Sequence, residues 1–213
     1  MTETLIVGLY IACELIANVT ASKPVALPLN ITVPSAVFIY ALTFTLVDLI
    51  NDRLGKQRAR HVVYTAFAAN LLLAVYVALA VAMPPPDFYT GQEAFAAVLG
   101  STPRIVVASL TAYLIASLID VQVFAWWRER FGVDRRRWLR VLVSNSVSTL
   151  VDSVVFIVIA FAGVLPLAPL IVGQYVVKMI VTVVSVPLIY TVRARVGRAH
   201  SRVDPRQSWE GAG

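Results

Sequence analysis

Apolar residues run along this chain in six long blocks, separated by short polar or proline-containing stretches. The blocks cover residues 4–22, 34–52, 61–83, 103–127, 140–162 and 168–192. Crossing ~30 Å of hydrocarbon takes about 20 helical residues, and each block is of that order. Their ends carry helix signals. Pro34 stands at a first helical position, where its missing N–H is not needed. Pro84-Pro85-Pro86 stops the third block. Ser101-Thr102-Pro103 opens the fourth, and Gly163 closes the fifth. Pro187, inside the sixth, predicts a kink. The pattern predicts an all-α integral membrane protein. A single bundle of six transmembrane helices spans residues 1–199, and a polar tail follows over 200–213. The segment 23–33, Lys-Pro-Val-Ala-Leu-Pro-Leu-Asn-Ile-Thr-Val, is apolar, extended and proline-bounded, and reads as a lid over one mouth of the bundle. Residues 84–102 read as a longer loop carrying Asp87, Tyr89 and Glu93.

Composition agrees. Of the 213 residues 59% are hydrophobic and only 14% charged, against ~25% charged in a typical soluble domain. Too few polar groups are present to cover a water-facing surface, and disorder requires the opposite balance. The single cysteine, Cys13, excludes a disulfide framework and a Cys-based zinc site.

The net charge of +6 takes its meaning from where the basic residues lie. Arg53, Lys56, Arg58 and Arg60 follow the second block. Arg128, Arg130, Arg135, Arg136, Arg137 and Arg140 separate the fourth from the fifth, and Arg193, Arg195, Arg198, Arg202 and Arg206 follow the sixth. Fifteen of the 18 basic residues thus fall on one side, leaving Lys23 and Arg104 on the other and Lys178 inside a block. The positive-inside rule places that side, with both termini, in the cytoplasm of a cell-membrane protein. The basic runs sit at helix ends, which fits orientation rather than nucleic-acid binding. No basic residue precedes the first block and no small-residue cleavage site follows it, so it reads as a true first helix and not a signal peptide.

Ionisable groups inside such helices are costly and usually functional. Here they are Glu14, Asp48, Asp120, Asp152 and Lys178, with Asp52 at the inner boundary. The amides Asn18, Asn51, Asn70, Asn145, Gln122 and Gln174 accompany them. Helical spacing gathers them into one polar stripe per helix: Glu14 with Asn18, Asp48 with Asp52, Ser109-Tyr113-Ser117-Asp120, Ser144-Ser148-Asp152 beside Asn145, and Gln174 with Lys178. Such stripes must face one another or a wet cavity. Serines in membrane helices also bond their own backbone or join helices, so Ser109, Ser117, Ser144 and Ser148 fit either role. Asn70 stands alone on its helix and reads as packing. Asp52 and Asp120 read as structural or gating partners for the cytoplasmic arginines. Trp126, Trp127 and Trp138 read as interface anchors. His61 and His200 form no cluster, no phosphate-cradling glycine loop is present, and no paired-aspartate signature of an intramembrane hydrolase appears. The expectation is a protein that is not an enzyme and has no cofactor or metal.

Three runs resemble a known family. Phe44-Thr-Leu-Val-Asp48-Leu-Ile-Asn-Asp52-Arg-Leu-Gly55-Lys-Gln-Arg-Ala-Arg60 is similar to the second-helix signature of the VUT, or queuosine precursor transporter, family, with Asp52-Arg-Leu-Gly where that family commonly has Glu-x-x-Gly. The run from Arg140 through Ser144, Asn145, Ser148 and Asp152 to Gly163 resembles its fifth helix, and Gln174-Tyr-Val-Val-Lys178 with Pro187-Leu-Ile-Tyr190 its sixth. Ala17-Asn18 also fits. The resemblance implies import of 7-cyano- or 7-aminomethyl-7-deazaguanine, precursors of modified tRNA bases. It also implies a fold similar to the six-helix substrate-binding components of energy-coupling-factor vitamin importers.

The residues suit that chemistry. A guanine-like edge offers adjacent N–H donors that one carboxylate accepts together, with Asp152 or Glu14 as candidate. Its carbonyl needs a donor such as Lys178, Asn145, Asn18 or Gln174, and its flat ring a wall such as Tyr175 or Phe156. The expected substrate-binding set is Glu14, Asn18, Asp48, Asn145, Ser148, Asp152, Gln174 and Lys178. Asp52, Arg60 and Asp120 are expected in gating or structural roles. Three readings stay open: a stand-alone secondary transporter, in which Asp48 or Glu14 cycles a proton or uptake is facilitated; a binding subunit that docks on an ATPase module through Gly8 and Ala12; and a non-transporting assembly protein. The partners expected are a small nucleobase, the lipid bilayer and either a second copy or that ATPase module, with no nucleic acid.

Overall fold

The computed structural model describes residues 3–131 and 137–200. Among the described residues seven α-helices follow one another: α1 (Glu3–Thr20), α2 (Ala36–Leu54), α3 (Lys56–Ala82), α4 (Gln92–Leu99), α5 (Thr102–Phe131), α6 (Arg137–Phe161) and α7 (Leu167–His200). Among the described residues four helical stretches are long and apolar enough to cross a membrane: Glu3–Thr20, Gln57–Ala82, Gln92–Val123 and Val143–Phe161. Ala36–Asn51 and Leu167–Val183 are shorter apolar helices. By its contacts the chain divides into two compact units, Met1–Met179 and Ile180–Gly213. The first contains α1 to α6 and the opening of α7. The predicted tail over 201–213 lies outside the described residues.

Two features correct the all-helical expectation. Between α1 and α2 the chain forms a hairpin: β1 (Pro24–Leu27) pairs antiparallel with β2 (Ile31–Pro34), Pro24 opposite Pro34. A 3₁₀ turn, Pro28–Asn30, joins the strands, and Asn30 takes the left-handed φ of 57° that asparagine tolerates. Periodicity alone missed the pairing because the two strands are four residues each, with proline at the outer end of both. The second feature is α4, within the stretch read as loop. Gln92 ties it to the end of α3 by donating from Nε2 to the Val81 carbonyl at 2.9 Å.

Glycines set two helix ends. Gly55 (φ 81°) ends α2 with its N–H on the Asn51 carbonyl, and α3 begins at the next residue. Gly163 (φ 81°) ends α6, where the N–H groups of Val164 and Leu165 both reach the Phe161 carbonyl. Arg104, at the start of α5, completes this cap. Its Nε donates to the Ile159 carbonyl at 2.6 Å and its Nη2 to the Ala162 carbonyl at 2.8 Å. A cation at a helix C-terminus also complements the helix dipole. Arg104→Ala is expected to lower stability by about 1 kcal/mol, because the cap is exposed. A fall in thermal midpoint, matched by no such fall for Arg104→Lys, checks this.

Small residues let the helices approach closely. Ala108, Ala112 and Ala116 form a buried seam along α5. Ala108 and Ala112, with Ala17, Ala21 and Ala36, share one core with Phe156, Ile157, Ala160 and Phe161 of α6. A second core joins Ile6, Tyr10 and Cys13 of α1 to Leu46 and Ile50 of α2 and to Ala59 and Ala66 of α3. Leu71, Leu72, Val75, Tyr76 and Leu79 of α3 point outward, as lipid-facing side chains should. The hairpin is anchored on both sides. Ser35 Oγ donates to the Thr20 carbonyl that ends α1, and the Ser35 N–H reaches the Lys23 carbonyl at 2.9 Å. On the α7 side, Gly173 leaves room for the backbone of Thr32.

Candidate functional site

Polar side chains from six helices, α1, α2, α3, α5, α6 and α7, gather in two clusters and one bridge. In the first cluster Lys178 of α7 forms an ion pair with Asp152 of α6. Lys178 is buried, and the Asp152 side chain is 24% exposed. At 1.5 Å per residue, Asp152 sits about 13 Å from the end of α6 and Lys178 about 16 Å from the start of α7, well inside the hydrocarbon thickness. The Lys178 ammonium also stands over the ring of Tyr40, 5.5 Å from its centroid, within cation–π range. The Tyr40 hydroxyl in turn shares a 3.3 Å hydrogen bond with Ser109 Oγ on α5. Glu14 of α1 lies within electrostatic range of both Lys178 and Tyr40. Gln174, one turn from Lys178 on α7, is buried. Paired and hydrogen-bonded charges are tolerated in an apolar interior where isolated ones are not.

The second cluster joins α5 to α6. Asp120, about 27 Å along α5 from its start, accepts hydrogen bonds on Oδ1 from Ser144 Oγ at 2.5 Å and Ser148 Oγ at 3.4 Å. Both serines are buried, and Ser148 also bonds the Ser144 carbonyl one turn back at 3.0 Å. Ser144, Ser148 and Asp152 therefore occupy one face of α6 at intervals of one turn. Asn145 is half-buried beside them.

The bridge joins α1 to α3. Asn18 Nδ2 donates to Asn70 Oδ1 at 2.7 Å and to the Glu14 carbonyl at 3.2 Å, while Asn70 Nδ2 donates to the Ala66 carbonyl at 2.9 Å. Both amides are buried. Among the described residues Asn18 Oδ1 has no hydrogen-bond partner. Asn70→Ala is expected to cost about 1–2 kcal/mol, since it strips a buried amide of its partner. Thermal unfolding in detergent measures it, and an unchanged midpoint excludes a structural bridge.

The sequence-derived set thus distributes unevenly. Asp152, Lys178, Glu14 and Gln174 share one region, Asp120 and Ser148 another, and Asn18 the α1–α3 bridge. Arg60 is exposed on α3, with its Nη2 on the Tyr64 hydroxyl at 3.4 Å. The side chains of Asp48 and Asp52 lie outside the described residues, as do those of Trp127 and Trp138. Phe156 is a core residue, edge-on to Phe161 at 6.0 Å between centroids. Among the described residues no three His, Cys, Asp or Glu side chains converge as a metal site would require. Sequence reasoning overlooked Tyr40, one tyrosine in an apolar helix, whose two partners come from α5 and α7.

Residues 34–192 match the family described as "Putative vitamin uptake transporter", Vut_1. The chain belongs to this family. The matched stretch contains Tyr40, Ser109, Asp120, Asp152 and Lys178, and it begins after Glu14 and Asn18. A relative from Bacillus subtilis (strain 168), named "Probable queuosine precursor transporter", is 28% identical over 183 residues, covering 84% of this chain and 80% of the relative. No solved structure matches. As a member of the vitamin uptake transporter family, with apolar helices of spanning length, the chain is a multi-pass membrane transporter of a small molecule.

Proposed function

We propose that this Vut_1 transporter imports a 7-deazaguanine base, 7-cyano- or 7-aminomethyl-7-deazaguanine, and works without a separate energising module. The observation that carries this reading is the buried Asp152–Lys178 pair beside the Tyr40 ring. It supplies a carboxylate for two adjacent ring N–H donors, an ammonium for a ring carbonyl, and a flat apolar surface. The name of the Bacillus subtilis relative supports the same substrate class. In this reading α4 and α5 cross as one helical unit, and with α1, α2, α3, α6 and α7 they make six crossings. Both termini are cytoplasmic, because the basic residues crowd the connections on that side. Glu14, Gln174, Asp152 and Lys178 hold the base, and Asp120 and the basic turns serve the cytoplasmic end.

Proteoliposomes containing this chain alone test the reading. Uptake of labelled 7-cyano-7-deazaguanine, competed by the aminomethyl base and by neither guanosine nor biotin, is the expected result. Binding without uptake removes the stand-alone part and leaves a binding subunit. Absence of binding removes the substrate.

A further inference from the structure

We infer that Tyr40 receives the face of the transported ring, and that Lys178 occupies the ring's place while the site is empty. The inference rests on the proposal that the substrate is a planar base, and it assigns a residue that sequence motifs did not single out. One ammonium satisfies two groups at once: it pairs with the Asp152 carboxylate and stands 5.5 Å above the Tyr40 ring. A planar heterocycle with N–H donors on one edge needs those same two groups, a carboxylate for the edge and a π-face for the plane. The ring is held in place by its hydroxyl, shared with Ser109 Oγ at 3.3 Å, so the face stays presented when the ammonium leaves. Lysine suits a displaceable occupant, being a point charge on a flexible four-carbon stem. Phe156 is already committed edge-on to Phe161 in the core. Substrate and Lys178 therefore compete for one carboxylate and one aromatic face, the displaced ammonium turning to the ring carbonyl, and the lysine is a specificity element as well as a counter-ion. A ligand that brings only the edge donors or only the flat face displaces half of what the ammonium holds.

The test is equilibrium binding of labelled 7-cyano-7-deazaguanine to the full chain in nanodiscs, with thermal midpoints measured in parallel. Tyr40→Leu keeps bulk but removes the π-face, and should weaken binding roughly tenfold or more, in line with base–aromatic stacking. Tyr40→Phe keeps the face but releases it from Ser109, and should fall between parent and Tyr40→Leu. Lys178→Arg is the decisive variant. A guanidinium stacks on aromatic rings and pairs with carboxylates in a fork better than an ammonium does, so it should raise the thermal midpoint while weakening ligand binding. A purely structural lysine would let stability and affinity move together. Folded Tyr40→Leu that binds like the parent overturns the role of the ring. Lys178→Arg with affinity equal to or above the parent overturns the competition, and this arm decides the matter if Tyr40→Leu does not fold. If the parent itself binds no deazaguanine, the substrate proposal fails and this inference falls with it. If the parent binds and the variants behave alike, only the inference fails.

Discussion

Asp152→Asn is expected to destabilise the protein by about 3 kcal/mol and to abolish uptake, the largest single effect among the polar residues. The substitution removes the carboxylate that pairs directly with the buried Lys178 ammonium, in surroundings where lipid offers no water to replace it. Lys178→Met should cost a similar amount for the complementary reason. The pair Asp152→Asn with Lys178→Met removes both charges, and should recover a large share of the loss, because replacing a buried ion pair by apolar groups is often close to neutral. A double-mutant cycle on denaturant unfolding in detergent measures the coupling. Additive single losses would mean that the two charges do not depend on each other. Recovery of stability without recovery of uptake would separate the pair's architectural role from its part in binding substrate.

Gly173→Ala should be nearly as damaging, for a steric reason. A Cβ at Gly173 would lie 2.1 Å from the Thr32 carbonyl oxygen and 3.0 Å from Val33 Cγ1. The obstacle is backbone, which cannot swing aside as a flexible side chain would. The hairpin must lift off α7 or the helix must shift, at a cost of about 1–3 kcal/mol or more. Gly8→Ala makes the control, since nothing lies within 4 Å of its Cβ position. There the better helix propensity of alanine should stabilise by some tenths of a kcal/mol to about 1. Thermal midpoints and uptake rates of the two variants give the comparison. A Gly173→Ala protein with parental midpoint and uptake would show that the hairpin is not seated on α7.

The helices were legible because spanning a bilayer leaves a one-dimensional signature. Runs such as those of α3 and α6 are too long and too apolar for anything else, and Gly163 and Pro84 mark their ends at sequence level. The hairpin was half legible. Its prolines announced an extended, bounded segment, but the pairing of Val25 with Val33 depends on a turn only three residues wide, below the range of periodicity. α4 was hidden because its eight residues are flanked by the glycines and prolines that mark a loop. Within the site, Asp152 and Lys178 stood out because charge inside an apolar run is anomalous by itself. Tyr40 did not, since tyrosine is ordinary in a membrane helix. What distinguishes it is its position between Ser109 and Lys178, and those residues are about 70 and 140 positions away in sequence. Asp120 shows the same limit. The arginines nearest in sequence suggested a partner, and the two hydroxyls that the fold sets against its carboxylate come from the next helix, where spacing along α5 could not place them.

The row Ser144, Ser148 and Asp152 gives α6 the mechanics of a keyed shaft. Its lower teeth engage Asp120 of α5 and its upper tooth engages Lys178 of α7, and all three project from one rigid cylinder. One residue's worth of rotation turns a helical face through about 100°. A twist of that size would disengage the upper and lower contacts in the same movement, whereas a tilt about either end would release only one. Torsion of this helix would therefore act on its contacts with α5 and with α7 together, without any intervening chain of side chains.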